Sequence, residues 1–377
     1  MAMRALQIYA GPRARAHLAA DGLSPAHVGV IPAAAGGPKG LILGPLDRFI
    51  FGQWLPQSSQ PVALVGASIG AWRMATACLD HTVAAFERLE RDYIHQHYEL
   101  PAGQKRVPAQ QVSAQFGHSL QQFFGGRIGE VLSHPRYRLH IMTSHGRRLL
   151  HREHPLWTPV GYAAAFISNA VQRRALGAWL KRVVFSAQSA PLPFATDDFA
   201  TLQCALNEAN FMAALQASCS IPFVLQAVHD IPGAPSGAYW DGGITDYHLH
   251  LRYAGLSAAT HGEGDGAATP STAVGAGIVL YPHFQQAVVP GWLDKALKSR
   301  HRATSALDSM VVLAPRAGWV QSLPNAKLPD RTDFSRYGND LASRVTAWTA
   351  ATSAAQQMAD EFAAWLEAPD MGQVLPL

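Results

Sequence analysis

The chain has 377 residues, 48% of them hydrophobic and only 15% charged, and its formal net charge is +4. This length and apolar content exclude an intrinsically disordered protein and allow a large buried core. The basic residues are scattered and form no nucleic-acid motif, so no nucleic-acid partner is predicted, while contact with an anionic membrane surface stays compatible.

At the N-terminus, "MAMRALQIYAGPRARAHLAADG" has Arg13 and Arg15 where a secretory leader would carry its apolar stretch and cleavage site. No signal peptide is expected. No uninterrupted apolar run reaches the roughly 18 residues of a spanning helix. The expected location is the cytoplasm, with peripheral membrane contact compatible.

The first apolar, partly β-branched run is "HVGVIPAAA", 27–35, and it leads into the glycine loop "AAAGGPKG", 33–40. Glycine-rich backbone amides are a frequent source of donors for an oxyanion. Pro38 has no N–H, which leaves Gly36 and Gly37 as the donors, with Lys39 adding positive charge. A nucleotide-type phosphate loop is the weaker alternative, because Lys39 is followed by Gly40 and Leu41 where that motif needs Ser or Thr. The plain alternative is a loop that lets a helix approach a strand. A helix-like pattern broken by Gly and Pro follows, "PKGLILGPLDRFIFGQWL".

Next comes "PVALVGASIGAWRMATACL", 61–79, an apolar strand pattern that gives way to helix-compatible residues across Gly66-Ala67-Ser68-Ile69-Gly70. A nucleophile elbow needs this setting, since the sharp strand-to-helix turn lifts the serine oxygen out and only small neighbours fit two positions away. The helix N-terminus would favour negative charge developing at Ser68. A purely structural turn is the competing reading. Strong helix material continues to about residue 80 and resumes beyond it.

Further strands are expected at 138–144, 182–187, 277–282 and 310–315. Short apolar runs ending in turns or helical patterns are the grammar of an α/β protein with a mostly parallel sheet covered on both faces. Between Gly161 and Val183, Phe166, Ala170, Trp179, Leu180 and Val183 recur at roughly helical spacing among Arg173, Arg174, Lys181 and Arg182. A surface helix packed on the core is the first reading, and a lid or interfacial helix over 155–183 the second. Residues 261–277 read as a Gly, Ala, Thr and Pro-rich loop, and Leu341 to Trp365 as a C-terminal helix or helix pair.

In "AYWDGGITDYHLH", 238–250, Asp241 follows a short apolar stretch and precedes two glycines. It is a candidate base, although Asp-Gly is also a strong hairpin signal. Cys78, Cys204 and Cys219 are too few and too far apart for a disulfide framework or a C-x-x-C site. The histidine pairs His95/His97 and His248/His250 lack a neighbouring carboxylate cluster, so no metal is expected. His283 falls just past a predicted strand, where a triad histidine would stand, but a hydrogen-bonded loop histidine is the expected role.

In this order, Gly36-Gly37-Pro38-Lys39-Gly40, Gly66-Ala67-Ser68-Ile69-Gly70, "ASCSIPFV" from Ala217 to Val224, and Asp241-Gly242-Gly243 resemble the patatin-like phospholipases. The resemblance spans about 28–245 and implies a three-layer α/β/α fold with a mostly parallel central sheet. It also implies a Ser-Asp dyad that cleaves acyl esters of lipids without a cofactor. Position by position, Ser68 is the implied nucleophile, Asp241 the base, Gly36 and Gly37 the oxyanion hole, and Lys39 and Gly40 loop support. The family loop usually has Asp and three glycines and then Arg, whereas Ala34 and Ala35 stand first here and Lys39 replaces Arg. The expected organisation is an acyl hydrolase domain at 1–315 with a helical extension at 316–377 packed on it. The expected partner is a lipid or acyl-ester substrate. Acyl transfer by the same dyad and a catalytically silent lipid-binding role are the alternatives.

Overall fold

The computed structural model describes residues 3–99, 107–254 and 277–377. Its strands are β1 (Leu6–Ala10), β2 (Val28–Ala33), β3 (Val62–Ala67), β4 (Tyr137–Gly146), β5 (Leu180–Ser186), β6 (Thr201–Ala205), β7 (Val228–His229), β8 (Ala238–Asp241), β9 (Ile278–Pro282), β10 (Met310–Pro315) and β11 (Val374–Pro376). Residues in β2, β3, β9 and β10 are buried at every position. A strand covered on both faces has no reason to alternate with polar residues, which is why these segments stand out as continuous apolar runs.

All eleven strands join one sheet, with β11-β1-β10-β9-β2-β3-β4-β5-β6 as its main path and β8 joined to β4 and β7. The ladders through β10-β9-β2-β3-β4 are parallel, while β1 runs antiparallel to β10 and β5 and β8 run antiparallel to β4. The helices are α1 (Pro12–Asp21), α2 (Gly44–Phe49), α3 (Ile69–Ala77), α4 (Thr82–Ile94), α5 (Ala109–Phe124), α6 (Ile128–Leu132), α7 (Trp157–Val171), α8 (Phe211–Ser218), α9 (Ala317–Ser322), α10 (Thr332–Tyr337), α11 (Leu341–Ala354) and α12 (Gln356–Glu367). The fold is mixed α/β with a mostly parallel central sheet, compatible with the expected three layers.

The site is positioned by β4. Along one edge β4 pairs with β5 from His140 to Gly146. Along the other edge β3 runs parallel until Ala67 stands opposite Met142, and β8 takes over antiparallel with Asp241 opposite Thr143. Two strands therefore end head to head on one template, with Ser68 just beyond one and Asp241 at the tip of the other.

Residues after 316 bury Trp348, Phe362 and Trp365. The Glu361 carboxylate accepts the amides of Ala5 at 3.1 Å and Leu6 at 2.8 Å, tying α12 to β1. This segment is more than a helical extension, because β11 pairs parallel with β1 in the same sheet. The segment 161–183 also differs from expectation. α7 ends at Val171, and Leu180 and Val183 belong to β5, so the helix-like spacing spans two different elements. Arg182 is wholly buried, bonded to Asp246 at 2.6 Å and Asp198 at 2.9 Å, and Arg173 bonds Asp294 at 2.9 Å. These two arginines neutralise internal carboxylates and do not form a solvent-facing cationic stripe. Of the expected loop at 261–277, residues 261–276 lie outside the described residues. Among the described residues, no helix is long and apolar enough to cross a membrane.

Candidate active site

The backbone at Ser68 turns through φ 56° and ψ −131° before α3 begins at Ile69. A non-glycine residue there carries strain of about 1–3 kcal/mol, which persists only where the surroundings fix it. The two glycines do the fixing. A Cβ on Gly66 would lie 2.4 Å from Ala71 Cα, and a Cβ on Gly70 would lie 2.0 Å from the Ala33 carbonyl oxygen. Strand β3, helix α3 and the end of β2 thus touch backbone to backbone around the turn. The Ser68 amide donates to Ser218 Oγ at 3.0 Å, and Ser218 Oγ donates to the Met142 carbonyl at 2.7 Å. This relay ties the elbow to β4 through α8.

Ser68 and Asp241 are 4% and 5% exposed, and the Ser68 hydroxyl stands near enough to the Asp241 carboxylate to pull its pKa down. Asp241 Oδ1 also accepts the Gly243 amide at 2.7 Å, and the Asp241 carbonyl accepts Ser144 Oγ at 2.9 Å. Burial raises the Asp241 carboxyl above its ordinary value, against the downward pull of Ser68, Arg331, the Gly243 amide and Lys295. Desolvation of this kind makes a carboxylate a better proton acceptor than it is in water. Burial together with the Asp241 charge pushes the Cys219 thiol well up in pKa, so it stays a neutral thiol.

The glycine loop closes the site from the β2 side. Gly36 is extended and sits against Phe284, where a Cβ would come within 2.4 Å of the ring. Gly37 has φ +58° and opens a 3-10 turn over Gly37–Leu43. Amides in the first turn of a helix have no partner within it, so they can serve an incoming anion. The Ala35 amide is already committed to the Tyr247 carbonyl at 3.0 Å, so within this loop Gly36 and Gly37 stay the candidate donors. The start of the loop packs on the turns that follow Ser68 and Asp241, since Gly70 abuts Ala33 and Ala34, and a Cβ on Gly243 would meet Ala35 Cβ at 2.5 Å.

Lys39 is turned toward Phe284, its ammonium 5.4 Å from the ring centre. The cations that act on Asp241 are Arg331 and Lys295. Gly40 packs against Ile69 and Arg73, whose guanidinium makes a buried two-pronged bond to Asp47 at 2.7 Å on each side. Both loop residues are thus structural neighbours of the site and do not touch the dyad.

No family model matches the chain, and no curated protein matches it. The site therefore rests on its own geometry. A pocket reaches Asp241 between Ala35, Ile221, Tyr247, Trp292, Lys295 and Arg331. Ser68 is not among the residues that line it. His283 is buried among Tyr281, His248 and Phe284, and its Nδ1 pairs with the Gln285 carbonyl at 2.6 Å, with no bond to Ser68 or Asp241. Burial lowers its pKa to about 3 and holds it neutral. Among the described residues, no group of three His, Cys, Asp or Glu side chains converges as a metal site. Arg331, Lys295, Tyr247 and Trp292 line the pocket without belonging to any sequence motif, because only the fold brings 241–247, 292–295 and 331 together.

Proposed function

We propose that this chain is a serine acyl hydrolase of the patatin-like kind, acting on carboxylic esters of lipids. One observation carries the reading: a buried serine, held in strained backbone, stands beside a buried carboxylate whose pKa its hydroxyl pulls down, next to a glycine loop. Ser68 Oγ attacks the ester carbonyl while its proton passes to Asp241, and the Gly36 and Gly37 amides bind the oxyanion that forms. Collapse of this intermediate expels the alcohol, which takes the proton back from Asp241 and leaves an acyl-serine. Water then gives a proton to Asp241, attacks the acyl carbon, and releases the carboxylic acid and free Ser68.

An apolar surface supports the lipid assignment. The 15-residue helix α7 contains no Asp, Glu, Lys or Arg. Leu156, Trp157, Val160, Phe166, Ile167 and Val171 are exposed on it or at its start, and Phe223 and Val224 are exposed beside the pocket residues Ile221 and Pro222. The Phe223 ring packs edge-on against the buried Tyr162 of α7, ring centres 5.8 Å apart, which brings the two exposed groups near each other. A patch of this kind marks an interaction site, and peripheral contact with a lipid surface would deliver acyl chains to the pocket rim.

The test is labelling with a fluorophosphonate, with the modified residue located by mass spectrometry. Modification of Ser68, lost in Asp241→Asn, is the expected result. A folded protein that stays unlabelled at Ser68 sinks the reading. Supplying glycerol or lysolipid as acceptor separates hydrolysis from acyl transfer by the product formed.

A further inference from the structure

We propose that Arg331 and Lys295 form an anion subsite in the pocket that reaches Asp241, built for a phosphate or carboxylate carried by the substrate within a few bonds of its scissile ester. Its catalytic role rests on the hydrolase reading above, whereas its capacity to bind an anion does not. Both side chains line the pocket that Asp241 also lines. Arg331 Nε stands 3.2 Å from where a Gly37 Cβ would be, so its guanidinium lies over the oxyanion loop. The Lys295 ammonium sits 4.0 Å from the Tyr247 ring centre and 5.7 Å from that of Trp292, two further residues of the pocket.

These cations converge without internal compensation. The chain's buried arginines are paired, as in Arg182 with Asp198 and Asp246, or Arg73 with Asp47, whereas Arg331 and Lys295 keep exposed surface and are open to a ligand. At the pocket the neighbouring acids are turned away. Asp294, next to Lys295, is taken by Arg173, Arg300 and Asn169. Asp330, next to Arg331, is taken by Lys327 and Thr332. Among the described residues neither Arg331 nor Lys295 has a carboxylate within ion-pair distance. Burial, then the charges of Arg331 and Lys39, bring the Lys295 pKa down to about 8, so holding these cations together carries a standing cost. A ligand anion removes that cost.

A second effect follows at the base. Arg331 and Lys295 both pull the Asp241 pKa down, which weakens it as a proton acceptor. An anion seated between them screens that field, so an anionic ester strengthens the base that is about to act on it. The preference for anionic substrates therefore reaches kcat as well as KM.

The experiment compares monobutyryl glycerol with its phosphate ester in wild type, Arg331→Gln, Lys295→Gln and a surface control, Lys298→Gln. The expected result is a wild-type kcat/KM ratio that favours the phosphate and falls by about tenfold or more in each site variant, with the control keeping it. In parallel, calorimetry measures glycerol phosphate and inorganic phosphate binding to Ser68→Ala, alone and combined with Arg331→Gln. Binding of glycerol phosphate that disappears with Arg331 supports the subsite even if no ester is hydrolysed, which separates it from failure of the hydrolase reading. Equal ratios in all proteins, or phosphate binding indifferent to Arg331 and Lys295, overturns the proposal. Inorganic phosphate bound as tightly as glycerol phosphate overturns the assignment to a substrate group.

Discussion

Replacing Gly70 with alanine tests whether the elbow is held by backbone contact. The added Cβ would lie 2.0 Å from the Ala33 oxygen, 2.4 Å from its carbonyl carbon and 2.8 Å from the Ala34 oxygen. All three atoms belong to main chain at the end of a central strand and cannot rotate away. To reach ordinary van der Waals separation, α3 and the β2 end must part by about 1.4 Å, at an overpacking cost of about 1–3 kcal/mol. The displacement is carried into Ser68, two residues earlier, and a misplacement of about 1 Å lowers a well-aligned reaction by roughly a hundredfold. We expect Gly70→Ala to lower the urea midpoint and to slow fluorophosphonate labelling of Ser68 by about two orders of magnitude. Gly129→Ala is the control, since nothing lies within 4 Å of its added Cβ. Wild-type labelling and stability in Gly70→Ala would refute the contact argument.

Further outcomes follow from other parts of the site. Because strain at Ser68 is a backbone property, Ser68→Gly is expected to be more stable than Ser68→Ala by about 1–2 kcal/mol, the reverse of the usual order; urea titration showing Ala equal or better removes the strain. The folded protein holds the Asp241 proton more tightly than the unfolded chain does, so the ionised carboxylate costs stability above its raised pKa and the cost vanishes as pH falls below the unfolded value. Asp241→Asn should thus raise the melting temperature at neutral pH, with the gap closing in acid; a gap independent of pH contradicts the shift. Arg182→Gln strands the buried Asp246 and should cost about 3–5 kcal/mol, whereas Asp198→Asn at the 42% exposed end should cost under about 1 kcal/mol, and equal losses would disprove the distinction. Replacing Ile167 and Val171 together by serine is expected to reduce co-sedimentation with anionic vesicles, and an unchanged bound fraction would take α7 out of membrane contact.

The sequence made the buried middle of the sheet legible and its rim illegible, for physical reasons. Strands β2, β3, β9 and β10 show as apolar runs because both faces are covered. By contrast β6 has exposed positions and β7 spans only Val228–His229, so neither leaves a pattern. The segment 161–183 misled because Leu180 and Val183 of β5 fall in phase with α7. Arg182 looks like a surface cation until its carboxylate partners are placed around it. At the site, Ser68 and the glycines were legible because sharp turns restrict residue type locally. Lys295 and Arg331 were not, since their meaning arises only from proximity across the fold.

The head-to-head ending of β3 and β8 on β4 turns that strand into a ruler. Ala67 is opposite Met142 and Asp241 is opposite Thr143, so the spacing of Ser68 and Asp241 is copied from two adjacent residues of a third strand. Loops anywhere between Ser68 and Asp241 can lengthen or shorten during evolution without altering that spacing. A single residue inserted into β4 at this point would pull the pair apart, however faithfully every motif was preserved.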